Sequence, residues 1–435
     1  MPVLIALVFT FLLAFNSCAK WDHPRKDESP AGFKADVIEK WTAMQLRLMK
    51  NATGIPNHAF SRHYAYAGIA AWESIAPGVR GHEWVTQKWN GLNSLAGKAH
   101  HRKYYWPANA NAALASINRA MFPNASAADK SAVDSLENAF NEEFRQKTDE
   151  QTMTNSIQFG RQTAEAVFAW AQTDGAKDAS SPYTRPEGEG LWKPTPPAFA
   201  PAATPYWGKN RPVVAGSIAG AQCPAPMAYS AAAGSPFYKM VLKVCDSSKV
   251  LTDGQKQMAQ FWRDVPGVSS PGHWVSILHQ ALGIAKPSLA KGALAYALSG
   301  AAVNDALIAC FKDKYKYNLV RPVTYIQEIT GDMIWAPYLG TPAHPEYPSA
   351  HSSLSAGAAT VLQELFGELH VFTDHTYDYM GFSPRSYPSF AAIAQEAGLS
   401  RFYAGIHYLP SVEAGLQQGI KVGENILEKH PGAGF

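Results

Sequence analysis

From about Ala35 onward the apolar side chains recur at helical spacing. Val37, Trp41, Met44 and Leu48 form one stripe, and a second helix is expected from about His58 to Ile75. Further helices are expected near 107–121, 128–146 and 155–173, with Val133, Leu136, Phe140 and Phe144 on one face. The pattern then breaks. Over residues 176–235 Pro, Gly, Ala and aromatic residues replace it, including Pro194, Pro196, Pro197, Pro201, Pro205 and Pro212. A connection this long is a disordered linker or an ordered wall of a functional pocket. Trp192, Phe199, Tyr206 and Trp207 point to the ordered wall. Helical spacing resumes near 236–246, 253–263 and 271–285, and a long helix is expected from Ser288 to Tyr315. Its small middle residues, Ala293, Ala297, Gly300 and Ala301, suit close packing, while Lys291, Asn304 and Asp305 argue against a membrane span. No strand pairs and no repeat are evident, so the fold class is all-α. It divides into a bundle over 35–175, the connection, and a second bundle over 236–430.

The 435 residues are 46% hydrophobic and 17% charged, the balance of a chain that buries a core. A net charge of +3 without a Lys/Arg run gives no case for a nucleic-acid partner. Residues 1–18 read as an export signal: Met1 to Phe15 is almost wholly apolar, and Ser17-Cys18 resembles a bacterial lipoprotein cleavage site with Cys18 as the lipidated residue. Export to the periplasm, outer membrane or cell surface is therefore expected, with membrane contact only through the lipid. Three cysteines remain, allowing one internal disulfide at most. Cys223–Cys245 is the expected pair, with Cys310 a core thiol. The absence of CxxC and HExxH motifs argues against a zinc site.

Three segments carry candidate chemistry. In Pro345-Glu-Tyr-Pro-Ser349-Ala350-His351-Ser-Ser353 a proline-held extended run turns into a helix whose apolar positions are Leu354, Ala358, Val361, Leu362, Leu365 and Phe366. Ser349 is a good N-cap, so the first amides of that helix, its dipole and the His351 imidazole form an anion cradle. Lys314 and Arg321 stand seven residues apart, close to two helical turns, and Pro322 follows as a helix boundary. Arg401 and His407 would lie about 120° apart on a straight helix and can face one ligand only if the backbone bends, for which Gly405 is the candidate.

In order and spacing these segments resemble the signature K-x6-R-P, P-S-G-H, S-R-x5-H-x3-D of the vanadium-dependent haloperoxidase and type 2 phosphatidic acid phosphatase superfamily. Gly190-Leu-Trp-Lys-Pro-Thr-Pro-Pro, Trp207-Gly-Lys-Asn-Arg-Pro and Pro271-Gly-His-Trp resemble its soluble, secreted bacterial branch. The resemblance implies two helical bundles with the anion site in the second. It makes Lys314, Arg321 and Arg401 the cations around an oxyanion, with hydrogen bonds from Ser349 and the Ala350 amide. In a haloperoxidase, vanadate is the cofactor, His407 its ligand and His351 the acid–base group, and the partners are hydrogen peroxide and a halide. In a phosphatase His407 would attack phosphorus of a phosphate monoester and His351 would protonate the leaving group. A third reading is a surface lipoprotein that only binds phosphate.

The sequence departs from the signature twice: position 350 is Ala rather than Gly, and position 411 is Ser rather than the Asp that would hold His407. Glu413 or a more distant residue could replace that Asp. Phe311 and His344 fall where the family lines its halide pocket, and a His at 344 resembles the bromo- or iodoperoxidases. The leading expectation is a haloperoxidase acting on iodide or bromide.

Overall fold

The computed structural model describes residues 29–81, 83–93, 102–367 and 371–430. The leader and Cys18 lie outside the described residues. The first bundle contains α1 (Asp36–Asn51), α2 (Phe60–Ile75), a single turn α3 (Glu83–Thr86), α4 (Trp106–Met121), α5 (Ala127–Arg145) and α6 (Glu150–Ala171). The start of α6 is set by Asp149, whose carboxylate accepts from the amide of Thr152. The helix thus begins five residues before the apolar stripe does, because a cap acts on backbone amides. The second bundle contains α7 (Pro236–Lys249), α8 (Asp253–Phe261), α9 (Ser270–Ala285), α10 (Leu289–Tyr317), the short α11 (Pro322–Tyr325), α12 (Ala350–Phe366), α13 (Phe390–Tyr403) and α14 (Leu409–Lys429).

The two bundles share one core, and α10 runs through it. Among the described residues α10 is the helix long and apolar enough to cross a membrane, but its apolar stretch is wholly buried inside the protein. It packs against α2 on one side and α12 on the other. The α2 contact is close enough that a Cβ on Gly300 would stand 2.9 Å from Ala65 Cα, so the small residues of α10 serve backbone approach. On the far side α14 lies against the first turn of α12, where a Cβ on Gly415 would come within 2.5 Å of the Ser349 carbonyl oxygen. A glycine face therefore seats the start of α12.

The connection at 176–235 is ordered and lies over α10. Asp305 is the anchor: its carboxylate accepts from the amides of Val213 (2.8 Å) and Val214 (3.1 Å) and from the Ser217 hydroxyl (2.7 Å). Trp192 and Trp207 are buried, and the Trp192 amide donates to the Asn318 carbonyl at 2.6 Å. Phe199, by contrast, stays exposed.

Two expectations need correction. Cys223 and Cys245 are both buried free thiols, not a disulfide. The Cys223 thiol donates to the Ala414 carbonyl at 3.6 Å, and Cys245 packs on the inner face of α7. Cysteine parity carries no information about distance. Nor is the chain wholly without strands: β1 (Phe372–Asp374) pairs antiparallel with β2 (Arg385–Tyr387). At three residues each, these strands are too short for an alternation to be visible. The ribbon nonetheless matters, because it delivers the buried Asp374 to the core.

Candidate oxyanion site

The segment read as an anion cradle stands at the start of α12. Ser349 is its N-cap, and its hydroxyl oxygen accepts from the amide of Ser352 at 3.4 Å. Ala350 opens the helix with ordinary backbone, outside the positive-φ region. The extra Cβ is therefore accommodated, and it lines the cavity.

Lys314 and Arg321 reach the cradle by a different route from the one periodicity predicts. Helix α10 ends at Tyr317, and Asn318 turns left-handed with φ 47°, so Arg321 is not on the same helix face as Lys314. Arg321 instead caps α11. What brings the two cations together is the extended segment 344–348, which both grip. The Lys314 ammonium donates to the carbonyls of Pro345 (2.9 Å), Glu346 (3.0 Å) and Pro348 (2.5 Å). Arg321 Nε donates to the His344 carbonyl at 2.9 Å. Burial lowers the pKa of both Lys314 and Arg321, and the three carbonyl acceptors around the Lys314 nitrogen suit its ammonium form.

Gly405 supplies the required bend. Helix α13 ends at Tyr403, Gly405 has φ 78°, and His407 returns beside Arg321. Arg401 Nη2 donates to the Ala259 carbonyl at 2.8 Å and Nε to the Ser400 hydroxyl at 3.0 Å.

The group that holds His407 is Glu346, from within the cradle segment itself. His407 Nδ1 donates to Glu346 Oε1 at 2.8 Å; the Tyr408 amide donates to the same oxygen at 2.9 Å and the Ser411 hydroxyl to Oε2 at 2.6 Å. Ser411 therefore supports the carboxylate and does not replace it. Glu413 is exposed and takes no part. On the other side of the ring, Arg321 Nη1 lies 3.3 Å from His407 Nε2. A guanidinium has only donors, so Nε2 carries the lone pair and Nδ1 the proton. Burial, then the charges of Arg321 and Lys314, hold the pKa of His407 well below the usual histidine range.

His351 is held by its Nε2, which lies 3.2 Å from Asp264 Oδ2 and 3.0 Å from Ser270 Oγ. A carboxylate cannot donate, so Nε2 carries the proton and Nδ1 the lone pair. Burial and the nearby Arg401 lower the pKa of His351.

These groups border one cavity of about 480 Å³ whose lining includes Ala350, His351, Arg401 and His407 but no acidic side chain. Lys314, Arg321 and Ser349 stand immediately behind that lining and are fully buried. Phe311 and His344 both line the cavity, their rings 5.4 Å apart. His344 Nδ1 lies 3.0 Å from Arg321 Nη2 and 3.2 Å from the Pro345 carbonyl oxygen. His58 of the first bundle, which the sequence marked only as a helix start, packs against Phe311 with ring centroids 4.6 Å apart at a tilt of 36°. The Thr204 hydroxyl meets His58 Nε2 at 2.8 Å, and burial lowers the pKa of His58 to about 3. Asp264, Ser270 and Glu346 carry no local sequence signal, since their partners lie 61 to 87 residues away.

The pocket thus brings together three buried cations, one neutral imidazole whose Nε2 pair faces Arg321 and a second imidazole hydrogen-bonded to Asp264 and Ser270. Vanadate fits this donor set: an oxyanion meets the cations and amides, and a borderline metal centre meets the neutral His407 Nε2.

Comparison with known proteins places this arrangement. Residues 294–431 match the family model described as the VCPO second helical-bundle domain. A solved structure described as the first bacterial vanadium-dependent iodoperoxidase is 30% identical, with a TM-score of 0.80 over 92% of this chain and 98% of that one. An apo-type bacterial vanadium-dependent chloroperoxidase is 15% identical, with a TM-score of 0.63 over 86% of this chain and 95% of that one. Its holo-type counterpart is also 15% identical, with a TM-score of 0.59 over 94% and 96%. The last two establish likeness of fold. Comparison with curated protein sequences found no match.

Proposed function

This chain belongs to the vanadium-dependent haloperoxidase and type 2 phosphatidic acid phosphatase superfamily, and from that premise we propose that it oxidises iodide or bromide with hydrogen peroxide, using vanadate. The observation that carries the proposal is the state of His407: a neutral imidazole, its Nδ1 proton fixed on Glu346 and its Nε2 pair beside Arg321. That is the preparation of a metal ligand.

Vanadate, when bound, supplies Lewis-acid activation of peroxide toward the halide. Arg321 and Arg401 neutralise the oxyanion, and Lys314 holds the cradle segment while adding its charge from behind. The net reaction consumes halide, peroxide and one proton and yields hypohalous acid and water. His351, with a free Nδ1 and a lowered pKa, is placed to pass that proton.

His58 and His344 make the halide side of the pocket. Burial lowers the pKa of both rings, and each packs against Phe311. The similar protein described as an iodoperoxidase supports iodide as the preferred halide. His58→Ala is expected to raise the iodide KM about tenfold, the effect of one hydrogen bond to an anion, with vanadate affinity unchanged. Steady-state kinetics at saturating vanadate would check it.

One observation also favours a phosphatase. Glu346 provides beside His407 the charge that a phospho-histidine mechanism requires and that Ser411 cannot give. Iodide and bromide oxidation should therefore be measured with and without vanadate, alongside hydrolysis of a chromogenic phosphate monoester. Vanadate-dependent oxidation, inhibited by phosphate, supports the proposal. Phosphate release inhibited by vanadate, with no halide oxidation, overturns it. We further propose export on a lipid anchor at Cys18, which mass spectrometry of the mature N-terminus would test.

A further inference from the structure

Behind His351 lies a chain of buried ionisable groups that the proposed reaction does not use. Asp264 Oδ2 faces His351, while Oδ1 lies 2.9 Å from His273 Nδ1 and accepts from the Tyr377 hydroxyl at 2.8 Å. His273 Nε2 in turn lies 2.7 Å from Asp374 Oδ2. Asp264, His273 and Asp374 are fully buried. They come from three separate places: the turn after α8, the first turn of α9 and the end of β1.

Two carboxylates flank one imidazole, and a carboxylate offers only acceptors, so both ring nitrogens need protons. The surroundings agree. Trp262 stacks on the His273 ring at 4.1 Å and 19°, an arrangement that favours a cation. Asp374 is further held by the amide and hydroxyl of Thr376 and by Gln280. Asp264 sits in the left-handed region with φ 63°, a conformation sustained only by its surroundings. Burial alone would lower the pKa of His273, but the charges of Asp374 and Asp264 outweigh it and raise it to about 9. A buried ion pair of this kind is weak evidence for stability in itself and calls for another account.

We propose that His273 is a positioning residue for the acid–base group: as an imidazolium clamped between Asp264 and Asp374, it holds Asp264 as a carboxylate on His351 Nε2, which keeps the His351 Nδ1 pair available. This deepens the haloperoxidase reading and rests on it for the role of His351. Besides Asp264, the charged and titratable groups around His351 are Arg401 from α13, Arg263 from the turn after α8 and the neutral His407 beyond the bend at Gly405. His273 adds a positive charge behind Asp264 and so disfavours protonation of His351. Without it, His351 should take up a proton more readily.

The test is nitrogen NMR on histidine-labelled, metal-free protein between pH 5 and pH 9 or so, a readout that needs no turnover. In the wild type, both His273 ring nitrogens should be protonated near pH 8, and His351 should be the Nε2–H tautomer. In His273→Gln the His351 midpoint should rise by about half a pH unit or more, as expected for removal of a nearby cation. Asp374→Asn, which removes the counter-charge on Nε2 and so favours a neutral His273, should move it the same way by less. If the protein oxidises halide, the acidic limb of kcat/KM should shift upward with the midpoint. A neutral His273 in the wild type would overturn the proposal whether or not either variant folds. So would folded variants, verified by their melting curves, in which the His351 tautomer and midpoint are unchanged. Should halide oxidation be absent while the midpoint still moves, the activity reading fails and the positioning role stands.

Discussion

His407→Ala should abolish vanadate binding and vanadate-dependent halide oxidation while leaving phosphate affinity within about tenfold of the wild type. The asymmetry follows from what each ligand asks of the pocket. Phosphate needs the cations and amides, and these do not depend on the His407 ring: Arg321 keeps the carbonyls of His344 and Ile406, Arg401 keeps the Ala259 carbonyl, and Lys314 keeps its three. A vanadium centre needs in addition a nitrogen with an available pair, and Nε2 of His407 supplies it. The loss of vanadate affinity should exceed the 100-fold or so that removal of a supporting residue causes. Titration calorimetry with orthovanadate and, separately, orthophosphate would measure both. Equal losses for the two anions would mean that the ring acts as one more anion contact and not as a ligand. Unchanged vanadate affinity would remove His407 from the metal site altogether.

The sequence displayed the helices and the signature, because both are local. Stripes such as Val37, Trp41 and Leu48 do turn inward, and Ser349 does cap the helix it precedes. The requirement for a bend at Gly405 also followed from helical geometry alone. Long-range complementarity was not readable. Glu346 stands inside the signature segment, yet its role depends on a histidine 61 positions later, and no periodicity relates the two. His58 approaches the pocket from the other bundle, held by a threonine of the irregular connection. Lys314 and Arg321 illustrate the converse: their convergence was expected from a helix face and is achieved by a left-handed residue at 318 and a shared grip on one strand of backbone.

Glu346 is the second position where a large effect is expected, and two substitutions separate its charge from its hydrogen bonds. In Glu346→Gln the amide oxygen can still accept from His407 Nδ1 and the Tyr408 amide, while the Ser411 hydroxyl can turn to accept from the new NH₂ group. The ring stays oriented and only the charge is lost. Vanadate affinity should then fall about tenfold, because a neutral acceptor makes the imidazole a poorer donor to the metal. In Glu346→Ala the orientation goes too, leaving the Nδ1 and Tyr408 N–H groups buried without a partner, and the loss should approach 100-fold. If His407 is instead a nucleophile that becomes positively charged, the order of importance reverses. Removal of charge alone would then cost most of the hydrolytic rate, and the alanine variant would add little. The ratio between the two variants, measured for vanadate affinity and for phosphate-ester hydrolysis, therefore tells whether Glu346 serves a metal ligand or a phospho-histidine. A Glu346→Gln protein indistinguishable from the wild type in both would show that Ser411 and the Tyr408 amide suffice, and that the buried carboxylate is not what prepares His407.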